Sequence, residues 1–190
     1  MGKIIYCTGG IRSGKSLFSE KYIYENNYNK KIYLATAIPS DDDMKSRIKK
    51  HKDRRDKSWY TIESYSNIIE NIEPYVNEFD VILIDCISNM ISNQMIFSYD
   101  IDWDNASQED IKIVFNEILK ELENLLLFLK KSKLDSVIVS SEVGMTLVSN
   151  FSLGRYFQDL LGLANQLIAK HADEAYLSVS GINIQIKEKK

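Results

Sequence analysis

Apolar residues recur along this chain in two alternating rhythms, short β-branched runs and longer stretches at helical spacing. Lys3–Cys7, Lys31–Ala35, Val81–Asp85 and Ser136–Ser140 read as strands. The Val81-to-Ile84 run is continuously apolar, as a strand covered on both faces requires. Trp59–Glu63 reads as a shorter strand. Helical spacing predicts helices from Lys15 to about Tyr24, near Asn67–Asn77, over Gln108–Lys131 and from Phe151 to about His171. Within the third, Leu119, Leu122, Leu126 and Leu129 form an apolar stripe at spacings of three and four. Ser40 with Asp43, and Ser107 with Asp110, have the spacing of helix-capping pairs, so a further helix is expected after Ser40.

The chain closes with Glu174–Val179 and Ile182–Ile186, joined at Ser180-Gly181 in the pattern of a hairpin. This alternation predicts an α/β fold, a mostly parallel sheet flanked by helices with an antiparallel edge. Ser98–Asp110 is acidic and aperiodic and is expected to be a mobile loop.

Composition narrows the function classes. The length of 190 residues suits one domain over 1–190. A net charge of −3 argues against general nucleic-acid binding. No apolar run approaches the ~18 residues that span a bilayer, and Met1–Cys7 leads straight into a glycine loop rather than a signal peptide. Two cysteines, Cys7 and Cys86, are too few for a disulfide framework and fit a reducing cytoplasm. Both read as small buried residues.

That loop carries the first specific chemistry. Gly9-Gly10-Ile11-Arg12-Ser13-Gly14-Lys15-Ser16 matches G-x-x-x-x-G-K-[ST], placed after an expected strand and opening an expected helix. Glycines let successive backbone N–H groups converge on phosphate oxygens, and the helix N-terminus adds a favourable dipole. In such loops the lysine neutralises the β/γ-phosphates and the serine hydroxyl coordinates Mg²⁺, the roles expected of Lys15 and Ser16. Asp85, ending an apolar strand, is the expected carboxylate supporting the metal, with Glu142 a second candidate. A regulatory GTPase is disfavoured, because Ser132-Lys133-Leu134-Asp135 precedes its strand and lacks the asparagine of a base-reading motif.

Lys45–Lys57 is strongly basic around a single histidine, His51. On a helix, Arg47, His51 and Arg55 share one face. Such a face is either a solvated basic surface or a phosphate-handling one, in which cations hold a phosphoryl group while a neutral imidazole attacks it. His171, near the end of the last long helix, is explained by a helix-terminus charge interaction. On these residues alone, a plain P-loop small-molecule kinase remains an alternative.

Taken together, Thr8–Ser16, Arg47-Ile48 and His51-Lys52-Asp53 resemble the bifunctional adenosylcobinamide kinase/adenosylcobinamide-phosphate guanylyltransferase family. Further fragments agree in order: Tyr33-Leu34-Ala35-Thr36, Trp59 with Thr61 and Glu63, Asp85-Cys86-Ile87, Glu142-Val143-Gly144-Met145, Asn165-Gln166 and Val179-Ser180-Gly181. The resemblance implies a RecA-like P-loop fold, a homotrimer and two reactions. A nucleoside triphosphate, ATP or GTP, phosphorylates adenosylcobinamide. GTP then guanylylates a histidine, which falls on His51, and the GMP passes to the phosphorylated cobinamide. By the same resemblance Ala35, Thr36, Ala37, Lys52, Asp53, Arg54, Arg55, Glu63 and Asp85 contact the nucleotide. The chain departs from the family pattern at Arg54 (often Gly), Asp56 (often Pro), Asp85 (commonly Glu), Ser149 (often Pro) and Leu163 (often Arg).

Overall fold

The computed structural model describes residues 1–38 and 55–188. The helix expected after Ser40, together with His51, Lys52, Asp53 and Arg54, lies outside the described residues.

Among the described residues the strands are β1 (Ile4–Gly9), β2 (Lys31–Ala35), β3 (Trp59–Glu63), β4 (Val81–Asp85), β5 (Asp135–Ser141), β6 (Glu174–Val179) and β7 (Ile182–Lys187). The helices are α1 (Lys15–Glu25), α2 (Ile68–Ile72), α3 (Ile87–Phe97), α4 (Gln108–Lys131) and α5 (Ser152–His171). All seven strands join one sheet in the order β3-β2-β4-β5-β1-β6-β7. Only the β6–β7 pairing is antiparallel. The expected fold class is therefore the observed one. The edge hairpin turns through Ser180 and Gly181 with φ of 51° and 83°, the pair of positive values that a two-residue type I′ turn requires.

Side-chain alternation divides the core between the two faces of the sheet. Ile4 and Tyr6 of β1, Ile82 and Ile84 of β4, and Ile138 of β5 join α2 to α5 on one face. Ile5 and Cys7, Val81 and Leu83, Val137 and Val139 point the other way, where Ile23 of α1 and Tyr33 of β2 complete a smaller cluster. Central strands buried on both faces explain why their sequences read as unbroken apolar runs.

Three expectations change. The helix expected over Asn67–Asn77 is only Ile68–Ile72, followed by a 3₁₀ turn at Glu73–Tyr75. Pro74 has no N–H to continue the α-helical ladder, so the helix tightens there. The second change is α3, a helix that the periodicity reading left unassigned, although Ile87, Met90, Ile91 and Met95 are buried along one side of it. The third is the Ser98–Asp110 segment, which is anchored: Asp102 O accepts from Ala106 N at 2.7 Å, and the Trp103 ring packs 6.0 Å from that of Tyr156. The α4 start is as expected, Asp110 N donating to Ser107 Oγ at 3.1 Å.

Parallel register aligns the carboxyl ends of the central strands. Gly9 pairs with Ser141, Asp85 with Val139, and Ala35 with both Asp85 and Glu63. Ligand sites of open α/β sheets lie beyond this edge.

Candidate active site

The phosphate loop bridges β1 and α1 at that edge. Gly14, the residue before α1, has φ 99°, and a Cβ there would stand 3.3 Å from the Cα of Gly181. The backbone conformation therefore favours glycine, and a Cβ would also press on the Gly181 backbone. The loop is held from two sides: Gly181 N donates to Ser13 O at 2.9 Å, and Glu142 N donates to Gly9 O at 3.0 Å. The β6–β7 turn thus backs the phosphate loop, which gives the Val179-Ser180-Gly181 string a structural role. Arg12, at φ 57°, holds a backbone conformation costly for a side-chain-bearing residue. The first turn of α1 carries no acidic residue, leaving its N–H groups and dipole to an anion. Lys15 Nζ donates to Gly10 O at 3.1 Å, folded over its own loop.

Asp85 organises the opposite wall. Its Oδ1 accepts from Ser16 Oγ at 3.4 Å and its Oδ2 from Tyr33 Oη at 3.0 Å. The Arg55 guanidinium carbon lies 3.4 Å from the centroid of the Tyr33 ring, a stacked cation–π arrangement. Burial, then the adjacent Asp85 charge, pushes the Tyr33 phenol far above its ordinary value, so it remains a donor. The Asp85–Cys86 peptide is cis. Thr36 is buried; its Oγ1 donates to Cys86 O at 2.7 Å and accepts from Cys86 N at 2.8 Å. Its side chain therefore braces the site from behind.

These groups enclose a cavity of about 350 Å³. Ile11, Arg12, Lys15 and Ser16 form one side, with Tyr33, Ala35, Ala37, Arg55 and Asp85 facing them. Glu63 ends β3, exposed and in register with Ala35, outside the cavity lining. Glu142 Oε1 instead accepts from Gly144 N at 2.6 Å. Several lining residues were missed from sequence. Ser88, Asn89 and Ser92 come from α3, and Val143 and Phe157 from the far wall. The signal for the α3 group was available, because its buried apolar stripe leaves those polar residues on the other arc.

Ser16 and Asp85 together suit Mg²⁺, which prefers hard oxygen donors and commonly takes one or two carboxylates alongside substrate phosphates. Cys7 and Cys86 are buried. Burial pushes the Cys7 thiol up to about 12, so it behaves as an apolar core residue. His171 sits in the last turn of α5 with Nε2 4.0 Å from Glu123 Oε1.

Residues 5–186 match the family model described as cobinamide kinase / cobinamide phosphate guanyltransferase, CobU. The chain belongs to the CobU family. It is 35% identical over 184 residues to the bifunctional adenosylcobalamin biosynthesis protein CobU of Escherichia coli K12, covering 97% of this chain and 99% of that one. A Pseudomonas aeruginosa relative, the bifunctional adenosylcobalamin biosynthesis protein CobP, is 27% identical over 179 residues, covering 94% of each chain. Among solved structures, a Pyrococcus horikoshii OT3 protein is similar in fold, with a TM-score of 0.53 and 10% identity over 100% of this chain and 87% of that one. The family match extends from β1 into β7 and so includes the phosphate loop, Asp85 and the hairpin behind the loop.

Proposed function

We propose that this chain phosphorylates the aminopropanol hydroxyl of adenosylcobinamide with ATP or GTP, then transfers GMP from GTP to the product through a guanylyl-His51 intermediate. The observation that carries this reading is that Arg55 and Lys15 line the same cavity. Arg55 follows His51 by four residues, and four residues of extended chain reach at most about 14 Å. Arg55, the last arginine of the basic segment, lines that cavity.

In the kinase half-reaction the phosphate loop and Lys15 hold the triphosphate, and the cobinamide hydroxyl attacks the γ-phosphorus in line, releasing its proton to solvent. The bond to the bridging oxygen breaks, and the nucleoside diphosphate leaves. Mg²⁺, held by Ser16 and Asp85, would neutralise charge on the phosphate oxygens. In the second half-reaction a neutral His51 nitrogen attacks the α-phosphorus of GTP, and pyrophosphate leaves. A phosphate oxygen of cobinamide phosphate then displaces the histidine, breaking the P–N bond and giving adenosylcobinamide-GDP. The covalent carrier divides one substitution between two large anions into two easier steps. Lys15, Arg55 and Arg54 would stabilise the departing charge, and Lys52, Asp53, Ala35, Thr36, Ala37 and Glu63 would complete the nucleotide contacts. The reading includes a homotrimer and a cytoplasmic location. Among the described residues no helix is long and apolar enough to cross a membrane.

GTP labelled at its α-phosphate tests the covalent step. Wild-type protein with Mg²⁺ should acquire an acid-labile label that His51→Ala lacks. Cobinamide phosphorylation without any such label would leave a plain kinase and remove the guanylyltransferase assignment.

A further inference from the structure

The segment between β5 and α5 combines two properties that seldom coincide. Its side chains are apolar and face solvent: Met145 is 84% exposed, Leu147 93%, Val148 74% and Phe151 78%. Yet its backbone is fastened by dedicated polar side chains from α5. Gln158 Nε2 donates to Val143 O at 3.2 Å, to Thr146 Oγ1 at 3.1 Å and to Leu147 O at 3.2 Å. Gln158 Oε1 accepts from Ser149 N at 3.1 Å. Arg155 Nη1 donates to Ser149 O at 3.2 Å and to Asn150 O at 3.0 Å. Gly154 lets the loop approach the first turn of α5, since a Cβ there would overlap the Ser149 side chain. Holding exposed apolar groups in one shape gains nothing for folding, but it lowers the ordering cost of binding something apolar.

The loop's position identifies that partner. Val143, at its start, lines the nucleotide cavity, as does Phe157, the neighbour of Gln158. Ile11, 80% exposed at the tip of the phosphate loop, lines it too. The loop therefore springs from the rim of the phosphate site at Val143, while its exposed apolar residues stand outside the cavity lining. A bulky acceptor whose hydroxyl reaches the γ-phosphate must rest its body on this rim. We infer that the Met145–Phe151 loop is the docking ledge for the corrinoid acceptor, receiving the apolar periphery of the macrocycle, and that Gln158 is the positioning residue that holds the ledge in shape. The inference rests on the cobinamide reading above.

Steady-state kinetics of cobinamide phosphorylation tests it, using the full-length chain with two variants, Gln158→Ala and the double variant Leu147→Ser/Phe151→Ser. The substituted apolar residues are exposed, so the double variant keeps the folded core. Losing two apolar contacts should raise KM for cobinamide about tenfold or more in the double variant. Gln158→Ala should raise it several-fold. In both, kcat and KM for the triphosphate should stay at wild-type values, a split that general loss of structure would not produce. Unchanged KM for cobinamide, with an active wild type, overturns the ledge and leaves the enzyme assignment intact. Unchanged KM together with a smaller mass in solution identifies the loop as a contact between copies and likewise overturns the inference. A wild type that does not turn over cobinamide overturns both readings.

Discussion

The Ser16 hydroxyl donates to the Asp85 carboxylate at 3.4 Å, although the strands that lead to them are not neighbours. β5 lies between β1 and β4. The gap is bridged because α1 packs across β1, β5 and β4 together, which brings its first turn over the end of β4. A loop serine and a strand-end carboxylate thereby share one small volume beside the phosphate site. Asp85→Asn keeps the shape and removes the charge. Triphosphate turnover should fall about 100-fold, the scale of removing one preorganised electrostatic group. A Mg²⁺ titration should need more metal to reach half-maximal rate; an unchanged titration would show that Asp85 does not support the ion.

Arg55 should not tolerate its usual replacement. The guanidinium stacks on Tyr33, and a lysine ammonium cannot reproduce a planar contact. Arg55→Lys is expected to weaken GTP binding by about tenfold, measured by isothermal titration. Tyr33→Phe should keep the stack but lose the 3.0 Å bond to Asp85, lowering stability by about 1–2 kcal/mol in urea unfolding.

The hairpin turn behind the phosphate loop offers a test remote from the chemistry. A Cβ on Gly181 would meet nothing within 4 Å, so Gly181→Ala costs only the strain of φ 83°, about 1 kcal/mol. Because Gly181 N holds Ser13 O, KM for the triphosphate should also rise. A stability loss with unchanged KM would mean that the turn does not shape the loop.

At the opposite end of the sheet Glu174 accepts from Tyr22 at 2.9 Å and Tyr176 at 2.8 Å and pairs with Lys3. Burial alone would raise this carboxyl, but the Lys3, Tyr176 and Tyr22 contacts outweigh it and hold the group below its ordinary 4.5. A depressed folded value means that the stabilisation is full above the unfolded value and is lost as pH falls through the folded one. Glu174→Gln should therefore be less stable at pH 7, by about 2 kcal/mol. Its deficit relative to wild type should shrink below about pH 4.5. Melting temperatures from pH 3 to 7 would show this convergence, and parallel curves would refute it.

Much of this molecule is legible in one dimension. Val81–Ile84 and Ser136–Ser140 announce buried strands because both of their faces are covered, and a run of apolar residues is the direct record of that. The Gly9–Ser16 loop is equally readable, since its chemistry is local: backbone amides, a lysine and a hydroxyl supplied by consecutive residues. Ser180-Gly181 likewise carries its turn in its own backbone preferences.

What the sequence could not specify is which distant residues meet. Nothing local in Tyr33 or Phe157 marks it as lining the cavity beside the phosphate loop; strand order and helix placement bring both there. The same holds for Gln158, an unremarkable polar residue on a helix until the fold sets it beneath the Val143–Ser149 backbone. Thr36 follows a site strand in sequence, and only the fold shows its hydroxyl bonded to the Cys86 backbone. Sequence determined the strands, most of the helices and the phosphate loop because short-range geometry and burial act on neighbouring residues. The tertiary structure decided the walls of the site, because those contacts join residues far apart in the chain and exist only once the sheet has formed.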